Sequence, residues 1–196
     1  MSVVIGVKYK DGVIIAADKQ ATMGNTKTDD ATKLQAFKYS NSAIGVVGYL
    51  RDCNLMRTLE EVVPYKDILD KVPIDELYVI RAIVPAIFSH LSMNKRLTNN
   101  QEQYTMDSRM LYATSDSLFT IDGDFGVVEA RASYEVIGCG DDKVRGFMTS
   151  IGDTSNMTRS EVLQILDTAI RKGCEKDVFI DDRIDVIVLE KRKGDF

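Results

Sequence analysis

Ser2 stands beside the start of the chain, and removal of Met1, which a small second residue permits, would leave its hydroxyl next to its own α-amine. That is a nucleophile with a base built in. A serine hydroxyl is a weak nucleophile at its own pKa and needs a positioned base. A free α-amine, with a reference pKa of about 7.7 to 8.0, is partly neutral near physiological pH and can fill that role. The imidazole of a Ser-His-Asp or Cys-His hydrolase is scarce by comparison. His90 is the single histidine and lies in a segment of helical spacing, where a packed or surface histidine is the simpler reading. Any hydrolytic mechanism must therefore find its base elsewhere.

The elements that would position Ser2 follow at once. Val3-Val4-Ile5-Gly6-Val7 and Val13-Ile14-Ile15-Ala16-Ala17 flank Asp11-Gly12, which predicts a β-hairpin whose second strand ends on an acid, Asp18. The polar stretch from Lys19 to Thr26 reads as a loop, and Ala43 to Gly48 as another strand. From Arg51 the period becomes helical, with Leu55, Met56, Leu59, Val62 and Val63 apolar until Pro64 stops it. A second, longer helix is predicted from Ile74 to Met93, with Pro85 able to kink it. Asn94 to Asp107 lacks periodicity and reads as a loop or a frayed helix end.

A second β-block then comprises Met110–Ala113, Ser117–Ile121 and Val127–Ala130, followed by the glycine-marked Val136–Gly140. Asp141 to Ile151 is helix-like. Thr158 and Glu161 form a capping box ahead of the apolar stripe Val162, Ile165, Leu166, Ala169 and Ile170, with Gly173 placed to end that helix. Ile184 to Leu189 is a last strand. Strands, two helices, strands, two helices and a strand, without strict βαβ alternation, predict antiparallel sheets covered by helix pairs in one α+β domain over 1–196.

Composition narrows the function classes. The 30 acidic residues exceed the 25 basic ones, which are scattered, so a nucleic-acid footprint is missing. Cys53, Cys139 and Cys174 are odd in number and widely spaced, as suits free thiols of a cytoplasmic protein rather than a disulfide framework or a zinc site; Cys53 and Cys174 read as small buried hydrophobes. No continuous apolar run approaches the length of a membrane span, and no membrane partner is expected.

Asp18 to Thr26, Lys33-Leu34, Gly45-Val46-Val47-Gly48 and Gly138-Cys139-Gly140, together with the opening strand, resemble the signatures of the proteasome β-type peptidases, a family that includes HslV. The resemblance runs in order along essentially the whole chain, and Gln20, Thr26 and the short length lean toward HslV. It implies a four-layer αββα sandwich of the N-terminal nucleophile hydrolases, in agreement with the element order. It also implies Ser2 as nucleophile, with Asp18 and Lys33 as the family's acid and lysine. In that arrangement Lys33 favours loss of the nucleophile's proton and keeps the amine neutral, while Asp18 orients and compensates the lysine. Gly48 would bring its N–H to the developing oxyanion.

By the same resemblance Ala21, Val46 and Leu50 wall a pocket for an apolar substrate side chain. Cys139 and Asp177 complete the site residues. The backbone carbonyls of Cys174, Asp177 and Ile180 resemble a site for sodium or another monovalent cation, although a bare helix C-terminus has the same sequence. No cofactor is expected for catalysis. The sequence departs from the family pattern in three places. Ser2 replaces threonine and lacks the β-methyl that restricts χ1. Cys139 stands where a serine is common, and a thiol is a weaker donor. Ile180 occupies a serine position.

The implied activity is hydrolysis of peptide bonds in unfolded polypeptides by a subunit of stacked hexameric or heptameric rings, fed by an AAA+ unfoldase ATPase of the HslU kind. The sequence has no Gly-rich phosphate loop of its own. The alternative is a non-catalytic ring or assembly subunit with Met1 retained, and a third reading is an amidase with a small-molecule substrate.

Overall fold

A computed structural model describes residues 2–23, 26–28, 30–63, 74–100, 103–174 and 183–191. The hairpin forms as β1 (Val3–Tyr9) and β2 (Gly12–Asp18), although its turn residues are Lys10 and Asp11, because Gly12 is already paired with Tyr9. β1 and β2 occupy the middle of a four-stranded antiparallel sheet, flanked by β12 (Tyr134–Gly138) and β13 (Ile184–Glu190). Both faces of β2 are covered, so all its residues are buried and its sequence reads as a continuous apolar run rather than an alternating one.

The second sheet has five antiparallel strands in the order β11 (Val127–Glu129), β10 (Leu118–Ile121), β9 (Arg109–Thr114), β6 (Ser42–Val47) and β5 (Leu34–Phe37). Val4, Ile15 and Ala17 of the first sheet meet Leu34, Ala43, Leu111 and Leu118 of the second in a buried layer between them. On the outer side of the second sheet, Ile44, Met110, Tyr112 and Phe119 pack against α1 (Leu50–Met56) and α2 (Glu76–Met93). On the outer side of the first, Val3, Ile5, Val7 and Ile14 pack against α3 (Asp141–Ile151) and α4 (Arg159–Cys174). Two sheets face to face, each backed by a helix pair, make the expected αββα sandwich.

Five further details differ from the sequence expectation. The stretch after Asp18 is not simply a loop: β3 (Ala21–Met23) pairs with β4 (Thr26–Thr28). Within Asn94 to Asp107, β7 (Thr98–Asn100) likewise pairs with β8 (Gln103–Thr105). The first helix stops at Met56 and gives way to a 3₁₀ turn, Leu59–Glu61. The second helix widens into a π turn over Val79–Ile83 immediately before Pro85, where the missing N–H cannot continue the ordinary ladder. Gly173 lies inside α4, where a Cβ would stand 3.1 Å from Val144 of α3.

α2 also qualifies the membrane expectation. It has 18 residues with a mean hydropathy of 1.2, enough by length and composition alone to cross a bilayer, despite Glu76 and Arg81 within it. Val79, Ile83, Ile87 and Leu91 are spent on the core under the second sheet. His90 is the packed histidine expected, its Nε2 lying 3.0 Å from both Thr58 Oγ1 and the Leu55 carbonyl.

Candidate active site

β2 ends on Asp18, beside the beginning of β1 in the middle of the first sheet. Its Oδ1 accepts a hydrogen bond from the Val3 amide at 2.8 Å and its Oδ2 one from the Gln20 amide at 3.3 Å. Lys33 approaches from the other sheet, just before β5, where its carbonyl accepts the Val46 N–H at 3.0 Å. Its Nζ lies 2.7 Å from Asp18 Oδ2, with the lysine side chain 3% and the aspartate side chain 0% exposed. The ion pair thus joins the two sheets one peptide away from Ser2.

Burial lowers the Lys33 pKa from its ordinary value, while Asp18, and after it the thiols of Cys53 and Cys139, pull it back. Apart from Asp18, no described residue accepts a hydrogen bond from Nζ, so its remaining N–H donors stay uncommitted within the described residues. A buried ammonium of lowered proton affinity, held by a carboxylate that also binds the Val3 amide, is suited to hold or pass a proton.

Ser2 is half-buried and lies just outside β1. Its carbonyl accepts the Cys139 N–H at 3.0 Å, with Cys139 Sγ 3.4 Å away on the same oxygen, so the β12 end clamps the Ser2 peptide. Gly138 permits this approach. At its φ of +116° a Cβ would sit 2.0 Å from the Ser2 carbonyl oxygen. Gly138→Ala is expected to cost about 2 kcal/mol or more from backbone strain and the clash. The melting temperature should fall by about 5 °C or more in a calorimetric scan; an unchanged value would show that the clamp is unimportant.

Gly48 follows β6 and is exposed, with φ of +134°. Val46 is buried, and with half-buried Leu50 it belongs to the cluster between the second sheet and α1; Ala21 opens β3 and is buried outside the three core clusters. Cys53 lies beneath the same segment, its Sγ 3.7 Å from the Val46 carbonyl and its pKa pushed up to about 11, chiefly by burial. The structure therefore brings Asp18 and Lys33 together and ties Ser2 to Cys139. Asp177 and Ile180 lie outside the described residues, as does the side chain of Cys174, so the carbonyl set for a monovalent cation has no described geometry.

Residues that the sequence reading did not single out surround the Gly48 turn. Asp52, in the first turn of α1, is fully buried and accepts bonds from Arg96 Nε at 2.6 Å and Nη2 at 3.3 Å, and from Ser108 Oγ at 2.7 Å. Only the Gly48-Tyr49 turn leading into a helix could have hinted at an acid there, since Arg96 and Ser108 are 44 and 56 residues away in sequence.

The proteasome subunit family model matches residues 2–189. Proteasome subunit beta of Nanoarchaeum equitans is 23% identical over 198 residues, covering 98% of this chain and 94% of that protein. Proteasome subunit beta 1 of Korarchaeum cryptofilum is 24% identical, covering 98% and 89%. Among solved structures, HslV from Trypanosoma brucei superposes with a TM-score of 0.69 at 22% identity over 96% of this chain and 99% of that one. An Anbu (Gly-1) mutant from Hyphomicrobium superposes with a TM-score of 0.72 at 14% identity, covering 97% and 82%. These structural likenesses speak for the fold.

Proposed function

This chain belongs to the proteasome subunit family, and from that premise we propose that it is a β-type peptidase subunit whose nucleophile is the Ser2 hydroxyl, exposed when Met1 is removed. The observation that carries the reading is the buried Asp18–Lys33 pair, 2.7 Å apart, bonded to the Val3 amide next to Ser2. Ser2 attacks the scissile carbonyl, its proton passing to the free α-amine. Lys33 favours the alkoxide electrostatically and Asp18 holds Lys33 in place. The Gly48 N–H faces the oxyanion. The scissile C–N bond then breaks, the α-ammonium handing its proton to the departing amine, and water hydrolyses the acyl-enzyme with the regenerated neutral α-amine as base. The serine in place of threonine keeps the hydroxyl and gives up one constraint on its rotamer.

The reading extends to a homo-oligomeric ring chamber that admits unfolded polypeptide and is served by a separate AAA+ ATPase, as family membership suggests. A cytoplasmic location, a pocket built on Ala21, Val46 and Leu50, and a monovalent cation near α4 belong to the same proposal. The test is intact mass combined with labelling by a hydroxyl-directed peptide electrophile. The expected result is a chain lighter by one methionine that takes up one label on its N-terminal peptide and hydrolyses a fluorogenic peptide. Retained Met1 without label or turnover would overturn the proposal in favour of a non-catalytic subunit.

A further inference from the structure

The turn that carries Gly48 is held by a buried polar cluster with no other evident purpose. Gly48 and Ser108 are in close contact: a Cβ on Gly48 would stand 2.3 Å from Ser108 Oγ and 2.8 Å from its Cα. Val47 pairs with Arg109 at the end of the β6–β9 ladder, which sets Ser108 against the turn. Ser108 Oγ accepts the Tyr49 N–H at 3.3 Å and donates to Asp52 Oδ2 at 2.7 Å. The Tyr49 carbonyl in turn accepts the Asp52 N–H at 3.0 Å and the Cys53 N–H at 3.3 Å. Both backbone polar groups of Tyr49 are therefore committed, so the Gly48–Tyr49 peptide is held through its N–H and the Tyr49–Leu50 peptide through its carbonyl.

Asp52 is itself immobilised. Its carboxylate is 1% exposed and chelated by the Arg96 guanidinium, whose Cζ lies 5.0 Å from the centre of the Tyr49 ring. A chelated Arg–carboxylate pair is geometrically stiff. The ring of contacts Asp52, Arg96, Tyr49 and Ser108 closes around one turn. A buried ion pair is weak evidence of stability, since a well-packed apolar cluster does as well or better. Its advantage is fixed geometry, and oxyanion stabilisation depends on a donor that does not reorganise when charge develops.

We infer that Asp52, Ser108 and Arg96 are positioning residues that lock the Gly48 turn in the orientation needed to stabilise the transition-state oxyanion. The inference rests on the proposed peptidase reading. Ser108→Ala removes the hinge of the cluster, and Arg96→Lys keeps the charge but loses the chelating fork.

In each variant the expected result is a kcat lowered about tenfold with KM within twofold of the parent, since a displaced donor loses part of the effect of a deleted one. The affinity for a peptide aldehyde, whose adduct with Ser2 places an oxygen at the same position, should fall by the same factor as kcat. A merely structural role would lower the melting temperature and leave that correlation absent.

An unchanged kcat in folded Ser108→Ala overturns the inference while leaving the Ser2 assignment untouched. Should Ser108→Ala fail to fold, Arg96→Lys decides in the same way. Should the parent show no turnover, the peptidase reading fails by itself. Amide exchange at Gly48 and Tyr49 then decides: acceleration in the variants supports the locked turn, and an unaltered rate overturns it.

Discussion

Ser2→Ala should lower peptide hydrolysis by about a thousandfold or more, because the variant removes the attacking atom and leaves only binding and oxyanion stabilisation. The substitution is a clean one. The hydrogen bonds described at Ser2 are accepted by its backbone carbonyl, from the Cys139 N–H and thiol, and alanine keeps that carbonyl. Alanine is also small enough for Met1 to be removed, so a loss of activity could not be traced to a masked terminus. The melting temperature should stay within about a degree or two of the parent, as expected of a half-buried side chain whose loss creates no cavity in the core. Ser2→Thr restores the β-branched geometry and should retain or raise turnover by restricting χ1. Full activity in Ser2→Ala would remove the hydroxyl from the mechanism and return the chain to the non-catalytic reading.

The two strands that frame Ser2 were legible for a specific reason. Being covered on both faces, they carry uninterrupted apolar runs, and the Asp11-Gly12 pair marked the break between them to within one residue of the actual Lys10-Asp11 turn. α4 was legible from its capping box, where Glu161 accepts bonds from both the Thr158 amide and hydroxyl. The hairpins Ala21–Met23 with Thr26–Thr28 and Thr98–Asn100 with Gln103–Thr105 were not. Each consists of three-residue strands rich in Thr, Asn, Gln and Lys, held by backbone pairing that imposes no apolar alternation.

At the site the same division holds. The Ser2 to Asp18 relation is visible because it lies within one hairpin. The pairing of Lys33 with Asp18 followed only from resemblance, since it joins the two sheets, and the Asp52, Arg96 and Ser108 cluster is assembled across α1, the segment after α2, and the start of β9, where local sequence says nothing of proximity.

Lys33→Met is expected to cost both stability and activity, and the two losses are separable. The substitution leaves the fully buried Asp18 carboxylate, among the described residues, with the Val3 and Gln20 amides alone, which should cost about 3–5 kcal/mol and lower the melting temperature by about 10 °C. Turnover should fall about a hundredfold or more through loss of the charge that activates the nucleophile. The double variant Asp18→Asn with Lys33→Met removes both charges and should recover most of the stability while recovering none of the turnover. Recovery of both would reduce the pair to a structural tie between the sheets.

The pH dependence distinguishes the single variants. Because burial lowers the Lys33 pKa below its ordinary 10.5, the folded protein binds fewer protons than the unfolded chain between the folded value and 10.5. Stability from this group therefore rises as pH climbs through that window and is lost as pH falls through the folded pKa. Asp18→Asn removes the charge that pulls the lysine back up, so the folded value drops further and the window widens toward neutrality. The destabilisation of Asp18→Asn should accordingly be larger at pH 7 than at pH 9 in denaturant titrations, whereas Lys33→Met, which has no ammonium to desolvate, should show no such window. Equal destabilisation of Asp18→Asn at the two pH values would mean that Lys33 keeps its proton without its partner, and with it the case for a lysine tuned by burial would fall.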